Sequence, residues 1–135
     1  MSEIKAIKVR GPDGTIEECS VEIVQDPKWK LVFFGAGIER REFSNGDLFD
    51  AFTSLRKVLE ESGVQILCAG ARPDVFPSGM SRDMGGGRKA YITKLSSPAL
   101  RTDLVDIFDH SEPQSVGSVS AQQAFHEKWV ASLRK

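Results

Sequence analysis

The sequence predicts an α+β fold, with a largely antiparallel sheet of about six to seven strands and two helices packed on it. Strand patterns cluster before the first helix without regular βαβ alternation, which favours antiparallel pairing with helices on one face. The two helical patterns lie at about 46–62 and 120–134. A chain of 135 residues has the usual size of one domain, so we expect a single domain over 1–135.

A β-hairpin is predicted at the start of the chain. Its first strand is Ile4–Val9, and its second, Thr15–Val24, has apolar residues at every second position from Cys19 to Ile23. This alternation is typical of a strand with one buried and one wet face. The residues Gly11–Gly14 favour a tight turn between the two strands, because proline presets φ and glycine accepts positive φ.

Two further strands are expected before the first helix. The segment Trp29–Ala36 is apolar on both faces, which predicts a central strand of the sheet. The segment Ile38–Phe43 alternates charged and apolar residues, which predicts an edge strand or one with a wet face. Glycines at 35 and 37 allow the tight reversal between these strands.

The first helix has the clearest pattern in the chain. Ser44 or Asn45 is the expected cap, Asp47 suits the positive N-terminal end, and Gly63 supplies a left-handed stop. Apolar side chains at helical spacing form its buried stripe: Leu48, Phe52, Leu55 and Leu59. We expect this stripe to lie on the sheet.

Three strands and a second helix are predicted after it. The strands are Val64–Ala69, Arg88–Leu95 and Asp103–Phe108. Ser120 and Gln123 have the spacing of a capping box at the start of the last helix. An apolar ladder is expected to pack that helix on the domain: Ala121, Phe125, Trp129 and Leu133.

Charge and hydropathy argue against several function classes. The net charge is −1, so the chain lacks the basic surplus typical of proteins that bind nucleic acid. The longest apolar run, Leu31–Ile38, is too short to span a bilayer. The first residues show no signal-peptide pattern. We therefore expect no nucleic-acid partner and no membrane partner.

The two cysteines indicate a compartment. Cys19 and Cys68 lie far apart in sequence, each within an apolar strand pattern. This favours two buried thiols in a reducing compartment, with a disulfide as the less favoured alternative. The cytoplasm is therefore the expected location.

The segment 70–89 is the most unusual part of the chain. It contains five of the twelve glycines, four basic residues and two acidic residues, in a chain that is slightly acidic overall. Connections of this length are uncommon in compact domains and are usually functional or disordered. We expect an ordered loop, because four apolar side chains are available to anchor it to the domain: Val75, Phe76, Met80 and Met84.

This segment supplies the candidate binding residues, which are Arg72, Asp74, Phe76, Ser78, Met80, Arg82, Asp83 and Arg88. Arginine and aromatic side chains are common anchors at protein interfaces. The arginines and glycines also suit an anion-binding nest, since guanidinium groups match carboxylate and phosphate. The alternative is structural: Arg72 pairs with Asp74, and Arg82 with Asp83 or another loop carboxylate, to fix the loop.

No catalytic or metal-binding set is recognisable. Ser78–Gly79 matches half of a nucleophile elbow, but Phe76 occupies the position where that motif needs glycine. The acidic residues near His110 suit solvated strand ends better than a divalent cation site. Catalytic residues therefore remain unknown, no metal or cofactor is predicted, and an enzyme is the less favoured class.

The stretch from Cys68 through Gly87, which contains GARPDVFPSGMSRDMGGG, resembles a segment of small uncharacterised bacterial proteins. No activity follows from that resemblance. In overall style, a small α+β domain without catalytic motifs, the chain is similar to bacterial immunity proteins that neutralise a partner toxin. This second resemblance implies a protein partner and assigns no residues.

Two functional hypotheses follow. The first is a non-enzymatic bacterial protein-binding module of the immunity type, with a toxin as its partner. The second is an enzyme or sensor that binds a small anionic, phosphate-bearing ligand at 70–89, with Asp74 or Asp83 as general base. The chain is expected to be a monomer or a homodimer, since the predicted edge strand 38–43 can pair with a second copy.

Overall fold

The computed structural model describes residues 2–25 and 27–134. Within these residues the chain forms three α-helices and eight strands, and every strand pair is antiparallel. The predicted α+β class is therefore confirmed. None of the helices in the described residues is long and apolar enough to cross a membrane.

The strands form two separate sheets. The larger sheet has the order β4-β3-β2-β1-β5 and the smaller one the order β6-β7-β8. The strands of the larger sheet are β1 (Ser2–Arg10), β2 (Ile16–Gln25), β3 (Trp29–Gly35), β4 (Ile38–Phe43) and β5 (Gln65–Ile66). Those of the smaller sheet are β6 (Val75–Phe76), β7 (Lys89–Ile92) and β8 (Leu104–Asp106).

The helices are α1 (Leu48–Glu60), α2 (Gly79–Gly85) and α3 (Val119–Ser132). The prediction of one sheet of six to seven strands with two helices is wrong in its counts. Three of the strands that follow α1 pair only with one another, so they form a second sheet. The segment 70–89, expected as a loop, contains β6 and α2.

The first four strands follow the sequence patterns closely. The alternating side chains Cys19, Val21 and Ile23 are all buried. The strand β3 lies between β2 and β4, and β4 is at the edge of the sheet, as both patterns predict. Glu42 on β4 pairs with Lys30 and Arg40, so charged side chains cover part of this edge.

The helix α1 buries the predicted stripe against the larger sheet, with Leu48, Phe52, Leu55 and Leu59 all inside the core. Its cap is Asp47 rather than Ser44 or Asn45. The Asp47 carboxylate accepts from the backbone N–H of Asp50 at 2.8 Å, and the Asp50 carboxylate accepts from that of Asp47 at 3.2 Å. These two bonds close a capping box, which fixes the start of the helix.

The two cysteines are free and buried, as predicted. Cys19 lies on β2 opposite Ile7 of β1, and Cys68 follows β5 on the other side of β1. Two strand spacings of about 4.8 Å place them roughly 10 Å apart, beyond the reach of a disulfide. Burial raises the pKa of the Cys19 thiol to about 12 and also raises that of Cys68, so both stay protonated at neutral pH.

The last helix packs differently from its predicted ladder. Ala121 is exposed and Leu133 is 39% exposed, while the buried residue among the described positions of α3 is Gln122. The cap of the helix is Ser118, two residues before the predicted cap Ser120, and the Ser118 hydroxyl accepts from the N–H of Ala121 at 3.0 Å. Trp129 is half-buried and donates its indole N–H to a loop carbonyl, so this member of the ladder holds α3 in place.

Candidate functional site

The helix α2 places most of the candidate residues of segment 70–89. Ser78 is its cap, and its hydroxyl accepts from the N–H of Ser81 at 3.0 Å. The helix ends at Gly86, which has the left-handed conformation with φ of 69°. Seven residues that include two glycines are too few to form a helix alone, so tertiary contacts must hold α2 in place.

All three candidate arginines form ion pairs within the chain. The Arg72 guanidinium donates two parallel bonds to the Asp74 carboxylate, at 2.9 and 2.7 Å. Arg88 donates two bonds to Glu3, at 2.8 and 3.0 Å, and a third to Asp106 at 3.0 Å. Asp74 thus neutralises Arg72 within the segment, whereas the two carboxylates that face Arg88 join the segment to β1 and β8.

The third candidate, Arg82, joins α2 to the start of α1. Its Nη1 lies 3.0 Å from the Asp47 carboxylate and 3.2 Å from that of Asp50, the two residues of the capping box. Its guanidinium also lies over the rings of Phe49 and Phe76, at 5.0 and 5.7 Å. Burial raises the pKa of Asp50, but bonds from the Asp47 N–H and Arg82 outweigh it and bring that pKa below its ordinary value.

The side chain of Phe76 anchors the segment. It meets Phe49 edge-on at 5.4 Å between centroids, and the ring of His126 on α3 stacks on it at 3.7 Å. Its neighbour Val75 is fully buried. The hypothesis that the segment is ordered by apolar anchors therefore agrees with the positions of Val75 and Phe76.

The two methionines behave differently from the expected anchors. Met80 is 71% exposed, and Met84, about one helical turn later, is 80% exposed. They lie on the side of α2 that faces away from the core, while Arg82 faces the core side. The expectation that the methionines pin the segment is therefore wrong, and they form part of the surface.

The methionines border an open groove of about 480 Å³. Its surface is mainly apolar, and α2, β7, β8 and the first residue of β3 all contribute to it. The residues that line it are Trp29, Ser78, Met80, Ser81, Met84, Gly85, Arg88, Lys89, Tyr91 and Leu104. We call this surface the methionine groove.

The methionine groove includes three of the candidate residues, Ser78, Met80 and Arg88. Arg72, Asp74, Phe76 and Arg82 do not line the groove and instead contact other residues of the chain, and Asp83 is exposed on α2 outside the lining. Sequence analysis missed Trp29, Tyr91 and Leu104, which come from three strands that meet only in the folded chain.

Trp29, the first residue of the predicted central strand, is half-buried and lines the groove. The last turn of α2 packs against it: a Cβ added at Gly86 would lie 2.5 Å from the indole Cε2. Only glycine permits this approach together with the left-handed backbone at that position. The carbonyl of Gly86 also accepts from the N–H of Phe49 at 2.9 Å, which ties the end of α2 to α1.

A buried arginine on α1 donates hydrogen bonds to the backbone at the start of the segment. Arg56 is only 2% exposed, and it donates from Nη1 to the Gly70 carbonyl at 3.3 Å and to the Gln122 side chain at 2.7 Å. Its Nη2 donates to the carbonyls of Ala71 at 3.4 Å and Gly117 at 3.1 Å. Burial lowers the pKa of Arg56 to about 10, so it remains charged at neutral pH.

The Gln122 side chain completes this network. It is also 2% exposed, and its Nε2 lies 2.8 Å from the carbonyls of Gly70 and Val75 and 2.9 Å from that of Arg72. Arg56 and Gln122 therefore supply hydrogen-bond donors to the backbone carbonyls of the stretch that leads from the larger sheet to β6. The burial of Arg56 is indicated by the sequence, because Arg56 lies four residues after Phe52 and three before Leu59, within the apolar stripe of α1.

The described residues show no catalytic or metal-ligating arrangement at the groove. The Ser78 hydroxyl caps α2, and none of its hydrogen bonds in the described part of the chain involves a histidine. Across residues 2–25 and 27–134, no group of three or more His, Cys, Asp or Glu side chains is placed to hold a metal ion. The carboxylate of Asp106 instead accepts from Arg88 and from the N–H of Phe108.

Comparison of the chain with protein-family models and with curated protein sequences found no match in either. A function must therefore be argued from the groove itself. The properties that bear on its function are the exposure of its methionines, its apolar lining and the ion pair that joins α2 to α1.

Proposed function

We propose that this chain is a non-enzymatic protein-binding module and that the methionine groove is its binding surface. The observation that carries the proposal is the exposure of Met80 and Met84, at 71% and 80%, beside an apolar groove. Large exposed apolar patches in soluble proteins commonly mark sites of interaction. Methionine is well suited to such surfaces, because its flexible side chain adapts to the shape of a partner.

The shape and composition of the groove favour a protein over a small molecule. Small-molecule sites usually enclose about 70–90% of the ligand surface. The methionine groove is open to solvent, and three of its lining side chains, Met80, Met84 and Lys89, are mostly exposed. Its Trp29, Tyr91 and methionine side chains belong to the residue types that are enriched at protein interfaces.

The helix α2 is held firmly enough to present its methionines. Arg82 ties it to both acidic residues of the α1 capping box, and Gly86 packs on Trp29. A surface that is ordered before binding loses less conformational entropy when a partner arrives. The ion pairs of the segment therefore support binding indirectly, through the position of α2.

The anion-binding alternative has weaker support. Arg72 and Arg82 face carboxylates of the chain, and Arg88 faces two of them. An anion at these groups would have to displace existing ion pairs. A smaller cavity of about 270 Å³ lies beside Arg56, but both terminal nitrogens of that guanidinium already donate to protein acceptors, and Glu60 lines the same cavity.

An immunity-type role, with a toxin as the partner, is the more specific form of this proposal. Its support is the absence of a recognisable catalytic set in the sequence and the apolar groove on the described surface. The cytoplasm is the proposed compartment, because free buried thiols at Cys19 and Cys68 suit a reducing environment.

The proposal predicts that loss of the methionines abolishes capture of a partner. The immobilised wild type and the double variant Met80→Ser/Met84→Ser are compared in lysate of the native host, with bound proteins quantified by mass spectrometry. The matched control is Ile16→Ser, which removes a 47% exposed apolar side chain at the far end of the hairpin. Thermal midpoints establish beforehand that all three proteins are folded.

We expect a protein that the wild type and the Ile16 variant both retain, and that the methionine variant loses by at least about ten-fold. Truncating a well-packed interface anchor costs on the order of 2 kcal/mol or more, which corresponds to such a loss. Identical sets of bound proteins in all three experiments would contradict the proposal, as would the absence of any protein whose capture depends on the methionines.

A further inference from the structure

The charges that line the methionine groove all have one sign. Arg88 and Lys89 are basic, and none of the ten described lining residues is acidic. Glu3 and Asp106, which form ion pairs with these two residues, lie outside the lining. Asp83 is on α2, but it too lies outside the lining. The lining itself therefore carries only basic charges beside its apolar side chains, and the carboxylates that pair with them lie outside it.

Lys89 carries the more available of the two charges. Arg88 donates to Glu3 at 2.8 Å and to Asp106 at 3.0 Å, and its side chain is mostly buried. The ammonium of Lys89 lies 3.8 Å from the same Asp106 carboxylate, which Arg88 already engages more closely. The Lys89 side chain is 63% exposed. An incoming carboxylate therefore reaches Lys89 without breaking a close ion pair.

The apolar side chains define the other half of the recognition surface. Tyr91 is two residues from Lys89 on β7, so both project from the same face of that strand. Leu104 lies directly opposite Tyr91 on β8 and also lines the groove. Met80 and Met84 contribute from α2. Lys89 thus lies at one end of an apolar row.

We propose that the methionine groove recognises an acidic-apolar protein segment, in which a large apolar side chain is followed or preceded closely by Asp or Glu. The apolar side chain packs on Met80, Met84 and Tyr91, and the carboxylate pairs with Lys89. This inference rests on the proposed function of the groove and names the chemistry of its partner. Charge complementarity selects the segment, while apolar burial supplies most of the affinity.

The test is selection of random short peptides displayed on a surface, against immobilised wild type and three variants. Met80→Ser/Met84→Ser removes the apolar contact, and Lys89→Glu reverses the charge at the groove. Lys128→Glu reverses the charge of an exposed lysine on α3 that does not line the groove, and serves as the matched control. Affinities of the enriched peptides are then measured at low and high salt.

The wild type and the Lys128 variant are expected to enrich peptides with Leu, Ile, Met, Phe or Trp next to Asp or Glu. Lys89→Glu is expected to bind these peptides about ten-fold more weakly and to prefer Lys or Arg at the acidic position. Salt weakens wild-type binding, since a solvent-exposed pair is screened within about 8 Å at physiological ionic strength.

The possible failures are distinguishable. Apolar peptides that require the methionines but show no acidic preference would overturn this inference and leave the protein-binding function in place. Peptides whose binding is unaffected by the methionine variant would contradict the proposed function itself. Sedimentation gives a third outcome: a wild-type dimer that the methionine variant dissociates would show that a second copy occupies the groove, and would overturn the inference.

Discussion

Replacement of Arg56 by methionine is expected to lower the free energy of unfolding by about 3–5 kcal/mol. Methionine fills a similar volume but donates no hydrogen bond. Gly70 and Ala71 keep other donors for their carbonyls, whereas the Gly117 carbonyl loses the bond from Arg56. The side-chain oxygen of Gln122 is left without its 2.7 Å donor in the protein interior. Unpaired buried acceptors cost about 1–3 kcal/mol each.

Chemical denaturation followed by far-UV circular dichroism measures this loss. Lys57→Met is the matched control, because it introduces the same side chain at the next position of α1, where the lysine is exposed. The control is expected to change stability by less than about 0.5 kcal/mol. A loss below about 1 kcal/mol for Arg56→Met would show that the buried network does not hold segment 70–89 in the way described.

Replacement of Gly86 by alanine is expected to cost about 2–4 kcal/mol of unfolding free energy and to weaken the groove. The new Cβ would lie 2.5–2.8 Å from three atoms of the Trp29 indole, so either the ring or the end of α2 must move. The left-handed backbone, with φ of 69°, adds a further penalty for any residue with a Cβ. Because Trp29 lines the groove, binding should fall together with stability.

The adjacent glycine provides the control for this prediction. A Cβ at Gly85 would meet no atom within 4 Å, and this residue is the last of α2, where alanine is favoured over glycine. Gly85→Ala is therefore expected to leave stability unchanged or raise it by up to about 1 kcal/mol. Thermal unfolding is measured for both variants, and partner capture for Gly86→Ala alone, because Gly85 itself lines the groove. Equal stability of the two variants would contradict the close seating of α2 on Trp29.

The parts of the fold that the sequence predicts well are those with long, regular patterns. The alternation from Cys19 to Ile23 and the helical spacing from Leu48 to Leu59 each repeat several times, so local chemistry alone indicates the buried face. The bounds of β4 are the same in prediction and structure. In these elements the periodic pattern and the tertiary packing agree.

The short elements could not be predicted, because tertiary contacts define them. The strand β6 has two residues and pairs with β7 across an intervening helix. The helix α2 depends on Arg82, whose partners Asp47 and Asp50 lie more than thirty positions earlier in the chain. No local pattern in the sequence reveals a pair at that separation, and the two glycines in α2 argue against a helix.

The candidate site was only partly predictable for a related reason. The segment 70–89 does carry one side of the groove, yet the prediction that Met80 and Met84 anchor it is wrong. The apolar side chains of a short helix do not by themselves show which of its faces is buried. In α2 the face that packs against α1 carries Arg82, and the methionines are exposed. The remaining groove residues, such as Trp29, come from distant strands.

Oxidation of the methionines tests most directly whether the groove is the binding surface. The free protein and its complex with the captured partner are treated with dilute hydrogen peroxide, and sulfoxide at Met80 and Met84 is followed by peptide mass spectrometry. Both side chains are highly exposed in the free chain, so both should oxidise readily. We predict that a saturating partner slows oxidation of both by at least about ten-fold, as a desolvated interface excludes the reagent. Equal oxidation rates in the free and bound protein would contradict the assignment of the groove.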